Sequence, residues 1–118
     1  MKKILVLFCL LVSITASAES FKYMYGGPSN TDVMSYVRLN TQPVVLNYLT
    51  ELSAIQLIFE GDSLMFYIIS TKEKGREIIV STVTSDGRKT NFSITNEMTI
   101  FVLGDIGYVI TDIPKNMW

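Results

Sequence analysis

The chain has 118 residues, of which 48% are hydrophobic and 18% are charged, with a formal net charge of −1 and no histidine. This length allows one small domain, and the near-neutral charge excludes the basic surface that nucleic acid or an anionic membrane requires. With no histidine and one cysteine, the chain lacks the ligands and nucleophiles of most zinc, haem and thiol-dependent sites.

Residues 1–18 have the features of a secretory signal peptide. Lys2 and Lys3 form the positive start, residues 4–14 form an apolar run interrupted by one serine, and Ala16-Ser17-Ala18 is a small-residue cleavage site. The apolar run is shorter than a membrane-spanning helix needs. We therefore expect export, to the bacterial periplasm or beyond the cell, with membrane contact at most peripheral.

The predicted mature chain, residues 19–118, is a single domain of 100 residues, in which eight lysines and arginines face eleven acidic residues. The chain's cysteine, Cys9, lies inside the predicted signal peptide. Large apolar residues surround it, which argues against a lipid attachment site. The mature domain would thus be stabilised by packing and not by disulfides.

Aromatic residues alternate along residues 21–25, which predicts a strand at the edge of a sheet. Tyr23 and Tyr25 on this strand are candidate contacts for a protein partner, although ordinary packing explains them equally well. The following Gly26-Gly27-Pro28-Ser29-Asn30 predicts a loop.

Residues 31–52 fit two interpretations. Thr31 and Asp32 are suited to cap one short helix, and Thr41, with Pro43 early in the first turn, is suited to cap a second. However, apolar residues also alternate along residues 44–48, as in a strand. We assign one or two short helices here.

Strands dominate after residue 54. Residues 55–59 and 64–69 are separated by the turn Glu60-Gly61-Asp62, and the second run is apolar on both faces, which predicts a central strand covered on both sides. Residues 72–76 form a charged turn containing Gly75. Two final strands, 98–103 and 107–113, flank Gly104 and Asp105, before Pro114 ends the second.

Asp86-Gly87 between two β-rich runs predicts a hairpin with a two-residue turn. That turn places Ile79 opposite Ile94, Ser81 opposite Phe92 and Val83 opposite Thr90. The predicted core-facing set of this hairpin is Ile79, Val83, Phe92 and Ile94.

Catalytic chemistry is limited to carboxylate pairs, Glu60 with Asp62 and Asp105 with Asp112. Acidic residues at turns and strand ends are ordinarily solvated, so we assign no catalytic, cofactor or metal residue and expect no enzyme. The C-terminal Trp118 joins Tyr23 and Tyr25 as a candidate protein contact, since these residues flank the ends where a partner would dock.

Residues 61–94 contain five features in order: Gly61-Asp62, an apolar strand, a glycine-containing loop, a strand ending in Thr84-Ser85-Asp86-Gly87-Arg88, and a strand centred on Phe92. This order resembles the small β-sandwich module in periplasmic subunits of conjugation and type IV secretion outer-membrane complexes. The chain is shorter than that family and lacks the proline expected before Gly75. The resemblance implies an assembly role without catalysis.

We therefore expect a mainly β domain, a small antiparallel sandwich or sheet, with an α+β arrangement as the alternative if one or two short helices form between residues 31 and 52. The predicted function is protein binding or assembly in an envelope machine. An inhibitor or immunity protein for another exported protein is the alternative, and a small periplasmic enzyme is a distant third.

Overall fold

The computed structural model describes the backbone of residues 16–118 and the side chains of residues 19–118. Its ten-stranded antiparallel sheet confirms the predicted mainly β fold. The strands are β1 (Ala16–Phe21), β2 (Tyr23–Pro28), β3 (Val37–Arg38), β4 (Val44–Leu49), β5 (Ala54–Phe59), β6 (Asp62–Lys74), β7 (Glu77–Val83), β8 (Lys89–Ile94), β9 (Met98–Leu103) and β10 (Ile106–Thr111). Single turns of 3₁₀ helix lie at Val33–Ser35, Thr50–Leu52 and Lys115–Met117.

Residues 1–15 of the predicted signal peptide lie outside the described residues. Because β1 begins at Ala16, the predicted cleavage site after Ala18 falls within this strand. Removal of residues 1–18 would leave Glu19, Ser20 and Phe21 to pair with β4.

The sheet curls until its two ends meet. The strand order is β1-β4-β5-β6-β7-β8-β9-β10-β2-β3, so β1 and β2 lie near opposite ends of the order although only Lys22 separates them in the chain. The inner face is therefore enclosed by the sheet itself. Buried side chains from nearly every strand fill it, the largest being Tyr48, Phe66, Phe92, Phe101 and Met24.

A hydrogen-bonded seam holds the two ends of the sheet together. Asn40, buried in the connection from β3 to β4, accepts a hydrogen bond from the Met24 N–H (2.8 Å) and donates to the carbonyl oxygens of Lys22 (3.1 Å) and Gln42 (2.5 Å). The Lys22 N–H donates to the Asp112 carboxylate (2.9 Å), just beyond β10. One amide side chain thus satisfies three backbone groups at the junction of β1 and β2.

The helix prediction for residues 31–52 is wrong in its second half. Asp32 does cap a helical turn, accepting from the Met34 N–H (3.0 Å), but that turn is the three-residue 3₁₀ segment Val33–Ser35. The segment after Thr41 is strand β4, in which Val44, Leu46 and Tyr48 are buried and the residues between them are half-buried. Pairing with β1 and β5 on either side outweighs the helical signals.

Two further expectations for the N-terminal region are corrected. The predicted loop at residues 26–30 is shorter, because Gly26, Gly27 and Pro28 belong to β2. The predicted edge strand has partners on both sides, since β2 pairs with β10 along its length and with β3 at Tyr25 and Gly26.

The expectation that residues 64–69 are covered on both faces is also wrong. β6 does lie between β5 and β7, and its Phe66 is fully buried. On the other face Tyr67 is 37% exposed, and Ile69, the unpaired residue at the register shift between Ile68 and Ser70, is 58% exposed. The curled sheet covers only its inner face here, so an apolar run does not imply two covered sides.

The hairpin of β7 and β8 forms where predicted, but its register differs by one residue. Ile78 lies opposite Ile94, Val80 opposite Phe92 and Thr82 opposite Thr90. The Thr84 N–H donates to the Arg88 carbonyl (2.8 Å) and the Gly87 N–H to the Thr84 carbonyl (3.0 Å), so the loop has three residues with Gly87 at φ 90°. The extra loop residue turns Ile79 and Val83 to the outer face.

We expect Ile78→Asp and Ile79→Asp to separate the two registers. Ile78 is 4% exposed, so an aspartate there would bury an unpaired charge and lower the free energy of unfolding by about 3–5 kcal/mol. At the half-buried Ile79 the loss should be about 1 kcal/mol or less. Urea unfolding followed by circular dichroism measures both, and the reverse order of costs would restore the two-residue turn.

Candidate functional site

A second apolar cluster lies on the outer face of β2, β9 and β10. We call it the outer cluster. Tyr25, Tyr36 and Val109 are its buried members, and Tyr25 lies directly opposite Val109 in the ladder. Partly buried residues pack around them: Tyr23, Val33, Met98, Ile100 and Trp118.

Tyr36 is accommodated on the outer cluster because two glycines lie beneath it. Gly27 and Gly107 are direct partners in the ladder of β2 and β10. A Cβ atom on Gly107 would lie 2.0 Å from the Tyr36 hydroxyl oxygen, and one on Gly27 would lie 2.6 Å from its ring. Gly27, which was predicted to lie in a loop, and Gly107, predicted to begin the last strand, thus leave room on the sheet for an aromatic ring.

The C-terminal segment folds back over the same cluster. The Trp118 ring meets the Tyr25 ring edge to face at 5.0 Å, and its indole N–H donates to the Ile113 carbonyl (3.1 Å). The Lys115 N–H donates to the Tyr25 hydroxyl (3.2 Å), and the Lys115 ammonium donates to the Tyr36 carbonyl. The segment is therefore anchored by both polar and aromatic contacts.

All three residues predicted as partner contacts meet in the outer cluster. Tyr23 stacks on Tyr25 at 6.1 Å and carries the Arg38 guanidinium 4.9 Å above its ring. Tyr25 is only 6% exposed, which leaves Tyr23 and Trp118 as the accessible members of the three. Their contact with a partner stays a prediction. In the structure Trp118 holds the C-terminal segment against Tyr25, and Tyr23 packs beside Tyr25 on the sheet.

In one of the two carboxylate pairs considered for catalysis the members lie far apart, and in the other Glu60 is held by hydrogen bonds from Thr41. Asp105 and Asp112 stand beyond opposite ends of the six-residue strand β10, roughly 20 Å apart, too far to act on one bond. Glu60 accepts hydrogen bonds from the N–H (2.5 Å) and hydroxyl (3.2 Å) of Thr41, and the backbone bond above all lowers the pKa of the Glu60 carboxyl. That shift is opposite to what a general acid requires.

The inner face contains one notable titratable side chain. Burial, and secondarily the Glu19 carboxylate, raises the pKa of the Tyr48 hydroxyl, which keeps it neutral. Over residues 16–118, no three His, Cys, Asp or Glu side chains are grouped so that they could hold a metal ion.

An open strand edge was not anticipated from the sequence. β6 pairs with β5 as far as Tyr67 and Ala54, and the Ile68 N–H then donates to the Ser53 carbonyl (2.7 Å). Ser53 adopts a left-handed conformation (φ 47°) that turns the preceding chain away. Within residues 16–118, residues 70–74 of β6 consequently pair with β7 alone.

Exposed apolar side chains mark the start of this edge. Leu52 is 55% exposed and Ile69 is 58% exposed. Leu52 precedes Ser53 in the chain and Ile69 follows Ile68, so the two apolar side chains flank the hydrogen bond between Ser53 and Ile68. Tyr67 is 37% exposed on the same stretch. We call residues 67–74 of β6, together with Leu52, the β6 edge. In the sequence, this edge corresponds to the outward-facing residues of the apolar run 64–69. The pattern of that run predicts a second covered face, but the structure leaves those residues exposed.

Comparison with known proteins finds no matching family model, no matching curated protein and no matching solved structure. Among the described residues, no helix is long and apolar enough to cross a membrane.

Proposed function

We propose that this chain is an exported, non-enzymatic protein-binding domain that serves as an assembly component of a bacterial envelope machine of the secretion or conjugation type. The observation that carries the proposal is the β6 edge, where a strand of 13 residues outlasts its neighbour β5. The predicted signal peptide supports the location, and the resemblance over residues 61–94 supports the class of machine.

An open edge binds a partner by β-strand addition. Backbone N–H and C=O groups on the free side of residues 70–74 would pair with an extended segment of the partner. Leu52, Tyr67 and Ile69 would supply the apolar anchor, in which a few buried side chains provide most of the binding energy.

The charges of the edge favour a foreign partner over a second copy. Antiparallel self-pairing centred on Lys72 would place two lysine side chains opposite each other, which is unfavourable. Lysines on exposed edges commonly suppress such self-association.

We expect Ile69→Asp to reduce recovery of the partner from an envelope extract at least tenfold, because the charge would have to be desolvated at the anchor. Val37→Asp is the matched control, since Val37 is an exposed β-branched residue (64%) on β3, and its recovery should equal that of the unmodified protein. Affinity capture of the tagged full-length chain with quantitative mass spectrometry provides the measurement.

Hydrogen exchange distinguishes strand addition from contact through side chains alone. The amides of residues 70–74 should exchange more slowly when the captured partner is bound. Capture of a multiprotein envelope complex supports the assembly role, whereas a single tightly bound toxin or hydrolase would replace it with the inhibitor alternative. Equal capture by Ile69→Asp and the unmodified chain would refute the β6 edge as the binding surface.

A further inference from the structure

A cleft opens between β8 and β9, away from the β6 edge. The two strands pair at Phe92–Phe101, Ser93–Ile100 and Ile94–Thr99. The ladder stops there although β8 extends back to Lys89 and β9 extends on to Leu103. The space between the diverging strands has a volume of about 530 Å³ and is lined by Arg88, Lys89, Thr90, Asn91, Val102 and Gly104.

One lining residue holds a buried polar group without a partner. Thr90 is 2% exposed, and its hydroxyl finds no hydrogen-bond partner in the described chain. Its neighbour across the β7–β8 ladder, Thr82, is equally buried but donates to the Thr90 carbonyl (2.8 Å). An orphaned hydroxyl costs about 1–3 kcal/mol, so its retention at a cleft points to a ligand that completes it.

The charge of the cleft selects the ligand. Arg88 and Lys89 are its ionisable lining residues, and no acidic residue is among the six. Arg88 is paired with the Asp86 carboxylate through its Nε (3.0 Å), so the exposed Lys89 supplies the unbalanced positive charge of the cleft. Val102, 42% exposed, adds an apolar wall.

We propose that the β8–β9 cleft binds an extended acidic peptide segment of a partner protein. The segment would lie between the two diverging strands, bonding its backbone to the open stretches at residues 89–91 and 102–103. It would give the Thr90 hydroxyl a partner and place a carboxylate beside Lys89. This surface differs from the β6 edge, and the two proposals succeed or fail separately.

A labelled acidic peptide tests the proposal directly. The probe is amidated Val-Glu-Val-Asp-Val with an N-terminal fluorophore, and the control is the neutral Val-Gln-Val-Asn-Val. With the full-length chain, fluorescence anisotropy should show saturable binding of the acidic peptide about tenfold tighter than that of the neutral one, weakening as salt is added.

Variants locate the binding. Lys89→Glu should weaken binding of the acidic peptide about tenfold, whereas Arg76→Glu, in the exposed turn between β6 and β7, should leave it unchanged. Thr90→Val should weaken it about fivefold while the variant unfolds at a higher urea concentration than the unmodified chain, because the orphaned hydroxyl is gone. If Thr90 had only a structural role, its replacement would not weaken peptide binding while raising the stability of the fold.

Amide chemical shifts complete the test. On titration with the acidic peptide, the largest changes should fall at residues 89–91 and 102–104. Absence of saturable binding, equal affinity for the neutral peptide, or shift changes centred on another surface would each overturn the proposal.

Discussion

Replacing Phe92 with alanine is expected to lower the free energy of unfolding by about 3–5 kcal/mol, since the ring is completely buried. It stacks on Phe101 at 4.7 Å and meets Phe66 edge to face at 5.0 Å, and Phe101 in turn stacks on Tyr108 at 4.9 Å. Loss of one ring therefore disturbs an aromatic row that crosses the enclosed interior.

The position of Phe92 in the β8–β9 ladder adds to the expected loss of stability. It forms one of the three residue pairs that join β8 to β9. Because domains of this size are stable by roughly 5–15 kcal/mol in total, Phe92→Ala would use a large part of that stability. The β8–β9 cleft would be expected to widen as the adjoining pairs weaken.

Urea unfolding monitored by tryptophan fluorescence and circular dichroism measures the effect. Phe21→Ala is the control, since Phe21 is only partly buried at the end of β1 and should cost about half as much or less. If Phe92→Ala does not fold, Phe92→Leu, with an expected loss of about 1–2 kcal/mol, still reports on the site. Equal costs at Phe92 and Phe21 would contradict a core centred on the aromatic row.

Asn40→Ala should destabilise the fold by about 3 kcal/mol, because it removes the amide that holds the seam between β1 and β2. The substitution leaves the Met24 N–H and the carbonyl oxygens of Lys22 and Gln42 without their partner. Each buried backbone group left unpaired costs about 1–3 kcal/mol, reduced where water enters. Asn47→Ala is the control, since its amide bonds only the Gln56 side chain on the outer face and should cost about 1 kcal/mol or less.

The Asn40→Asp variant adds a pH dependence of predictable sign. Its carboxylate would face two carbonyl oxygens, which disfavours the charged form and raises the folded-state pKa above the unfolded value near 3.9. The folded state then binds more protons, so stability should rise as the pH falls through the folded-state pKa. A midpoint of unfolding that is unchanged between pH 7 and pH 4, relative to the unmodified chain, would contradict this account of the seam.

Local sequence signals located most of the strands and turns. The predicted strands at residues 55–59, 64–69 and 98–103 lie within β5, β6 and β9, and the hairpin turn forms around Asp86 and Gly87. These features follow from residue type and short-range periodicity, which are properties of a few neighbouring residues.

The errors concern pairing across the sheet. A single additional loop residue shifted the β7–β8 register and exchanged Ile79 for Ile78 in the core. The segment after Thr41 became β4 because β1 and β5 lie on both sides of it. Neither outcome is available from neighbouring residues, since a ladder partner can lie anywhere in the chain.

For the candidate surfaces the division is similar. Sequence alone proposed Tyr23, Tyr25 and Trp118 as candidate partner contacts. They meet in the outer cluster because the C-terminal segment folds back over β2. It did not identify the β6 edge or the β8–β9 cleft, because each exists where a ladder stops, and the end of a ladder is set by two strands together.

The sequence by itself determined a histidine-free, mainly β chain with its turns at glycines, because backbone preference and alternation act locally. Only the tertiary structure decided which face of each strand is buried, how the sheet closes through Lys22 and Asn40, and which strand edges stay open. Those outcomes arise from hydrogen bonds and packing between segments far apart in the chain, which no short stretch of sequence specifies alone.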